Sequence, residues 1–335
     1  MALRRFPAAA ALLTALAVAA CSRDAESPVD VGAAPDLSAK RAPASAALAA
    51  ESIQPVTSCT VPGVPAEGDL NVSTRVYYSP GGQKQKMYVA WPKGAGPNPL
   101  VVILHGGGWV SGSRTGFRDE ARLLAGLGYT AATVDYRLAT SSANSFPAAV
   151  EDVRCAVRYL RQNALTFKID PTRVAAVGES AGGHLAAMLG VAGNAAGLDG
   201  SCPFFLQSPA VDAVISYYGP TDLRDPEDLP NLQTEVTAFL GNPPGDDPAE
   251  AALASPVTLV DAFDAKFLFN HRTLDDVVPL QQSIDMKLAL DGVGVPSTIV
   301  QVAGTGHGFP MFTSRKKYRT SSCTALAFLE QELQP

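Results

Sequence analysis

The sequence predicts an α/β domain with a mostly parallel central sheet of about eight strands and helices on both faces. Short, continuous apolar runs recur between about residues 72 and 302, and such runs are typical of strands buried on both faces. Segments with helical periodicity lie between most of them, and alternating strands and helices require parallel strands joined by right-handed crossovers. In a sheet of this kind, functional groups gather beyond the carboxyl ends of the strands.

Each element follows from a local pattern. Eight strands are predicted where apolar runs are bounded by turn residues, at 72–78, 86–91, 100–104, 130–135, 173–177, 213–217, 266–269 and 297–302. Five helices are predicted from apolar periodicity, at 118–127, 147–163, 180–190, 280–290 and 317–333.

The segment 218–260 interrupts the alternation of strands and helices, because it contains too many Pro and Gly residues for one packed helix. It is predicted to be a short excursion over the functional edge of the sheet. Two interpretations of its charge stay open: a rim that repels anionic ligands, or a solvated acidic loop. Its acids, set against Arg224, are Asp225, Glu227, Asp228, Glu235, Asp246, Asp247 and Glu250.

The N-terminus has the pattern of an export signal. Arg4 and Arg5 precede an apolar stretch over 8–20, which is shorter than the roughly 20 residues that a membrane-spanning helix needs. Val18-Ala19-Ala20-Cys21 resembles the lipobox of bacterial lipoproteins. That resemblance implies that Cys21 is acylated and anchors the protein to a membrane, in the periplasm or at the outer membrane of a bacterium. Without acylation the protein would be secreted.

Three regions are therefore expected: a signal peptide over 1–20, a disordered tether over 21–57, and one catalytic domain over 58–335. The tether is rich in Ala, Ser and Pro, a composition that buries too little apolar surface to offset the entropy of ordering. The formal net charge is −6, and the absence of a basic stripe argues against a nucleic-acid partner. The oligomeric state is not predicted.

Four cysteines remain when Cys21 is set aside, and an even number in an exported chain suggests two disulfides. Three connectivities are possible; pairing Cys59 with Cys323 and Cys155 with Cys202 is favoured, and four buried thiols are the alternative. No Cys-x-x-Cys or His-Glu-x-x-His spacing occurs, so neither a metal nor an organic cofactor is expected.

A nucleophile is predicted at Ser180, in the pentapeptide Gly178-Glu179-Ser180-Ala181-Gly182. The pentapeptide lies between a predicted strand and a predicted helix, where a sharp turn exposes the serine. The flanking glycines are needed because a Cβ at either position would block the close approach of strand and helix.

A second glycine-rich turn, His105-Gly106-Gly107-Gly108-Trp109, follows the strand at 100–104. Attack on an ester carbonyl places negative charge on its oxygen, and fixed backbone amides stabilise that charge. The amides of Gly107, Gly108 and Ala181 are the predicted donors. Trp109 is expected either to line the substrate pocket or to pack against neighbouring side chains.

Serine needs a base, which in turn needs an orienting acid. Four histidines compete for the role of base. His307 is favoured because it directly follows the last predicted strand and so shares the sheet edge with Ser180. His184 is interpreted as a packed helix residue, His105 as a brace for the glycine loop, and His271 as a partner of nearby backbone.

The acid is expected in the loop after the seventh predicted strand, because the order Ser, Asp, His is that of nucleophile-elbow hydrolases. Asp275 is preferred there. Its neighbour Asp276 and the more distant Asp222 remain alternatives.

These motifs together resemble α/β-hydrolases of the esterase and lipase type, close to hormone-sensitive-lipase-like enzymes and bacterial feruloyl or acetyl esterases. The resemblance implies the α/β-hydrolase fold and hydrolysis of short-chain or sugar- or aryl-linked carboxylic esters. A serine peptidase and a non-catalytic binding protein are the alternatives. The motifs are His105 to Trp109, Asp135-Tyr136-Arg137-Leu138, Gly178 to His184, Ala254-Ser255-Pro256, Asp275 to Pro279, and Gly306-His307-Gly308.

One position departs from the family pattern. The acid loop of such families usually reads His-Gly-x-x-Asp-x-x-Val-Pro, which aligns with His271 and Asp275, but Arg272 replaces the glycine. This change is expected either to shift the acid loop or to place a cation near the site.

Overall fold

The computed structural model describes residues 53–193 and 197–334. The predicted signal peptide, Cys21 and most of the predicted tether lie outside the described residues. The last residues of that tether are described, and they contact the domain. The Ile53 carbonyl accepts a hydrogen bond from Thr298 Oγ1 at 2.9 Å, and the Val56 amide donates to Thr324 Oγ1 at 2.9 Å. Contacts with the domain therefore begin before residue 58.

The predicted fold class is confirmed. The strands are β1 Leu70–Tyr78, β2 Gln85–Pro92, β3 Asn98–Leu104, β4 Thr130–Val134, β5 Ile169–Glu179, β6 Ala213–Tyr217, β7 Lys266–Leu274 and β8 Ser297–Thr305. These eight strands form one sheet in the order β1-β2-β4-β3-β5-β6-β7-β8, and only β2 runs opposite to its neighbours.

Helices cover both faces of the sheet, because alternate residues of the buried strands supply apolar side chains to each face. The helices are α1 Arg118–Gly126, α2 Ala148–Gln162, α3 Ala164–Phe167, α4 Ala181–Val191, α5 Gln233–Leu240, α6 Pro248–Leu253, α7 Leu280–Gly292 and α8 Arg319–Leu333. Val102 of β3 belongs to the core that includes α2, α4 and α7, whereas Val101 belongs to the core that includes α1 and α8.

The excursion between β6 and β7 contains two short helices, α5 and α6, which the sequence did not predict. Gly241, at φ 86°, ends α5, and Pro248 is in the first turn of α6. These residues limit the length of each helix but do not prevent it. The Pro and Gly residues therefore correctly indicated that no single long helix spans this segment. They gave no indication of the short helices that lie between them.

The favoured cysteine pairing is confirmed. Cys59 is bonded to Cys323 and Cys155 to Cys202. The first bond ties the beginning of the domain to α8, and the second ties α2 to the loop before β6. Within the described ranges, no helix is both long and apolar enough to cross a bilayer.

Candidate active site

Ser180 occupies a strained turn between β5 and α4. Its φ of 50° and ψ of −122° are unusual for a residue with a side chain, and the geometry is held by a hydrogen bond from its amide to the Tyr217 carbonyl at 2.8 Å. A Cβ at Gly178 would lie 2.1 Å from the Gly182 carbonyl oxygen, and one at Gly182 would lie 2.2 Å from the Leu104 oxygen. Both flanking glycines are thus required by backbone contacts, as the sequence predicts.

Three predicted residues that are distant in the sequence meet at the carboxyl edge of the sheet. His307 Nε2 lies 2.9 Å from Ser180 Oγ, and His307 Nδ1 lies 2.8 Å from Asp275 Oδ2. The imidazole therefore bridges a hydroxyl and a carboxylate, which is the hydrogen-bonding order that a serine nucleophile needs from its base and orienting acid.

The Asp275 carboxylate stays ionised although it is buried. Burial alone would raise its pKa, but the hydrogen bond with His307 and those from the Val277 and Val278 amides outweigh burial and hold the pKa below its usual range. His307 Nδ1 hydrogen-bonds to Asp275, whereas Asp222 pairs with Arg224 at 2.7 Å and Asp276 is exposed. The structure thus brings Asp275 to the imidazole.

The other three histidines have structural partners. His184 is fully buried, accepts a hydrogen bond from Trp109 Nε1 at 3.2 Å and donates from Nε2 to the Ala254 carbonyl at 2.8 Å. His271 donates to the Val278 carbonyl. His105 Nδ1 donates to the Gly106 carbonyl at 2.7 Å. Burial lowers the pKa of all three imidazoles, to about 4 for His184.

The glycine-rich turn after β3 faces Ser180 across a shared cleft. Gly107 and Gly108 line this cleft together with Ser180 and His307, and their φ values of 109° and 59° suit glycine. Ala181 directly follows the serine as the first residue of α4. Gly107 and Gly108 therefore share the cleft with Ser180, and Ala181 adjoins the nucleophile in the chain.

Trp109 does not line the cleft, so the pocket alternative for this residue is wrong. Its side chain is fully buried and stacks on Phe239 of α5, with ring centroids 4.6 Å apart. The indole also donates its N–H to His184. A left-handed φ of 60° turns the side chain inward, where it packs the glycine loop against α4 and the excursion.

The Arg272 guanidinium lies beside the segment that carries His307, so a cation is near the site as one expectation had it, but Arg272 does not line the cleft. Its guanidinium donates to the carbonyls of Thr305, at 2.6 Å, and Gly306, and to Tyr318 Oη at 2.8 Å. It thus joins β7 to the backbone directly before His307. Asp275 of the acid loop still contacts the His307 imidazole, so the departure from the family pattern does not disrupt the hydrogen bonds that join Asp275, His307 and Ser180.

The cleft has a volume of about 350 Å³. Sequence reasoning missed Tyr218 as a lining residue, although it directly follows β6 at the functional edge. Its hydroxyl donates to Glu179 Oε2 at 2.6 Å, and its ring meets the His307 ring edge-on at 4.9 Å. Of the acidic residues in the excursion, Glu235 lines the cleft.

The chain is similar in sequence to the BD-FAE family and to proteins named as esterases. The BD-FAE family model matches residues 87–290, more than half of the chain. Esterase LipC of Mycobacterium tuberculosis is 30% identical over 70% of this chain and 59% of its own length. Esterase LipQ of the same organism is 26% identical over 70% of this chain. The chain spans 56% to 59% of the length of these curated relatives.

Solved structures share the fold. A truncated carbohydrate esterase from gut microbiota superimposes with a TM-score of 0.65 at 25% identity, covering 82% of this chain and 100% of that one. Thermogutta terrifontis esterase 2 phosphorylated by paraoxon gives a TM-score of 0.66 at 27% identity, covering 81% of this chain and 98% of that one.

Proposed function

Because the chain belongs to the BD-FAE family of esterase-type α/β-hydrolases, we propose that it hydrolyses carboxylic esters through an acyl-enzyme on Ser180. The observation that carries the proposal is the pair of hydrogen bonds from one imidazole, His307, to Ser180 Oγ and to Asp275. The names of the relatives, which are esterases, support the reaction class.

The geometry supports a specific sequence of proton movements. Ser180 Oγ attacks the ester carbonyl while its proton passes to His307 Nε2, and Asp275 stabilises the imidazolium through Nδ1. His307 then gives this proton to the departing alcohol oxygen as the carbon–oxygen bond breaks. In the second half of the cycle a water gives a proton to His307 and attacks the acyl carbon. The bond between that carbon and Ser180 Oγ then breaks, the carboxylic acid leaves, and the imidazolium returns the proton to Ser180 Oγ.

Charge on the tetrahedral intermediate must be met by fixed donors. We assign this role to the amides of Gly107, Gly108 and Ala181, because the glycine loop and the start of α4 adjoin the same cleft. Loss of one such donor costs about 10²- to 10³-fold in turnover. The Trp109–His184 hydrogen bond supports a fixed loop, since it ties the loop to the helix that follows Ser180.

The cleft size supports small acyl groups. A volume of about 350 Å³ lies at the low end of ligand sites. Short-chain esters, or acyl groups linked to sugars or aryl alcohols, are the proposed substrates. The carbohydrate esterase among the structural neighbours is in keeping with a sugar-linked ester.

Active-site labelling tests the proposal. We expect a fluorophosphonate to add one adduct to the intact mass of the protein, and the adduct to be absent in Ser180→Ala. Turnover of p-nitrophenyl esters should vanish in Ser180→Ala and fall by about 10³- to 10⁴-fold in Asp275→Asn, because the imidazole loses its orienting charge.

Asp276→Asn is the matched control. Asp276 is next to Asp275 in the sequence, but its carboxylate is exposed and does not contact His307, so this variant should retain turnover. A folded wild-type protein that gave neither adduct nor turnover would contradict the proposal and favour a non-catalytic binding protein. Cleavage of peptides in preference to esters would favour the peptidase.

We further propose that the protein is exported and anchored through Cys21. The apolar segment before Cys21 and the two disulfides of the domain support an oxidising compartment outside the cytosol. Fractionation of cells that express wild type or Cys21→Ser tests the anchor: the wild type should sediment with membranes and the variant should not. Equal recovery of both in the soluble fraction would contradict acylation.

A further inference from the structure

Two carboxylate side chains flank the glycine loop that faces Ser180. A Cβ built at Gly106 would lie 3.4 Å from Glu179 Cγ, and one built at Gly108 would lie 2.7 Å from Glu235 Cγ. Glu179 comes from the end of β5 and Glu235 from α5, so the two approach the loop from different parts of the fold. Both line the cleft.

Glu179 is held in place by Tyr218. The Tyr218 hydroxyl donates to Glu179 Oε2 at 2.6 Å, and it also approaches the Phe309 carbonyl at 3.0 Å. Burial, followed by the charge of Glu179, raises the pKa of Tyr218 well above its usual value, so the hydroxyl remains a proton donor. The carboxylate therefore has a fixed position beside the nucleophile.

No cation faces these carboxylates from within the cleft. Among the described residues that line it, none is Lys or Arg. The guanidinium of Arg272 is engaged by the Thr305 carbonyl and by Tyr318. The interior of the cleft therefore carries negative charge on both sides of the glycine loop.

We propose that Glu179 and Glu235 make the cleft selective for esters whose acyl and alcohol parts are uncharged, hydroxyl-rich or cationic, and that they exclude esters bearing a carboxylate or phosphate. This inference rests on the proposed esterase function. Carboxylates accept hydrogen bonds from substrate hydroxyls, whereas a second anion in the same small cleft is repelled by them.

The test compares two esters of equal chain length, p-nitrophenyl butyrate and mono-p-nitrophenyl succinate. The value of kcat/KM for each ester is taken after subtraction of its spontaneous hydrolysis, which for the succinate ester includes attack by its own carboxylate, and the ratio of the two values is compared between wild type and variants. We expect the full-length protein to prefer the uncharged ester by about 10-fold or more. The preference should shrink as the salt concentration rises from low to high.

Glu179→Gln and Glu235→Gln remove one charge each while keeping side-chain size. Each should reduce the preference by about 3- to 10-fold, chiefly by raising kcat/KM for the succinate ester. Glu227→Gln is the matched control, because Glu227 is an exposed carboxylate of the same excursion and does not line the cleft. Its preference should equal that of the wild type.

A wild-type preference near one would overturn the inference, as would Gln variants that keep the full wild-type preference. Glu235→Gln guards against a folding effect at Glu179, since it leaves the Tyr218 hydrogen bond intact. If neither ester is hydrolysed and Ser180 takes no fluorophosphonate, the proposed esterase function itself fails. Labelled protein that hydrolyses both esters alike would reject the selectivity alone.

Discussion

The imidazole of His184 is kept neutral by its surroundings. It is fully buried, and one nitrogen accepts from Trp109 while the other donates to the Ala254 carbonyl. Burial lowers its pKa to about 4. A proton on Nδ1 would remove the acceptor that Trp109 requires and would leave a charge in the core.

The pKa shift of His184 predicts acid sensitivity. The unfolded imidazole takes up a proton below about pH 6.5 and the folded one only below about pH 4, so the free energy of unfolding falls as the pH drops between these values. The loss should reach about 3 kcal/mol and level off below pH 4. Urea unfolding of the wild type and His184→Asn from pH 7 to pH 4 measures it.

The His184→Asn variant should be less stable at pH 7, because Trp109 loses its hydrogen-bond acceptor. Its free energy of unfolding should fall between pH 7 and pH 4 by about 3 kcal/mol less than that of the wild type. A variant that retained the full wild-type dependence would assign the effect to other groups. His105 and His271 are the next candidates, because burial also lowers their pKa values.

The turn from β5 to α4 depends on glycine for reasons of space. The clash predicted for a Cβ at Gly182 involves the backbone oxygen of Leu104 at 2.2 Å, and backbone cannot move aside as a flexible side chain can. The end of β3 and the start of α4 would have to separate, which would displace Ser180 from His307.

We therefore expect Gly182→Ala to lower esterase turnover by about 10²-fold or more, because a displacement near 1 Å between reacting groups has that effect. Gly116→Ala is the control, since a Cβ there meets nothing within 4 Å. Steady-state kinetics with a p-nitrophenyl ester, alongside circular dichroism to check folding, makes the measurement. Full activity in Gly182→Ala would refute the steric argument.

The two disulfides constrain the domain over very different lengths of chain. Cys59 and Cys323 are 264 residues apart, and Cys155 and Cys202 are 47 apart. In the chain-entropy account, closing the longer loop contributes about 5.5 kcal/mol to stability and the shorter one about 4 kcal/mol. The longer link also holds the segment at Ile53 and Val56, which hydrogen-bonds to β8 and α8.

Replacing Cys59 and Cys323 together by Ser should thus lower the free energy of unfolding by several kcal/mol, at most about 5.5 kcal/mol. Equilibrium urea unfolding without reductant measures the change, with the Cys155→Ser and Cys202→Ser pair for comparison. Alkylation of the unfolded, unreduced protein checks the premise: the four cysteines should react only after reduction. Reaction before reduction would show thiols in place of disulfides.

Much of the fold could be read from local pattern. All eight predicted strands are present, because an apolar run bounded by breakers reflects burial of that segment alone. Helices α5 and α6 could not be predicted in the same way, since they are short and their stability comes from packing. Phe239 of α5, for example, is buried against Trp109 and His184.

The order of the eight strands and the five predicted helices, the serine turn, the glycine loop and the histidine after the last strand follow from the sequence, because each depends on residues adjacent in the chain. Three outcomes needed the folded molecule: which of two neighbouring aspartates meets His307, the inward packing of Trp109, and the approach of Glu179 and Glu235 to the glycine loop. These outcomes depend on side-chain direction and on distances between segments far apart in sequence, and local periodicity carries no information about either.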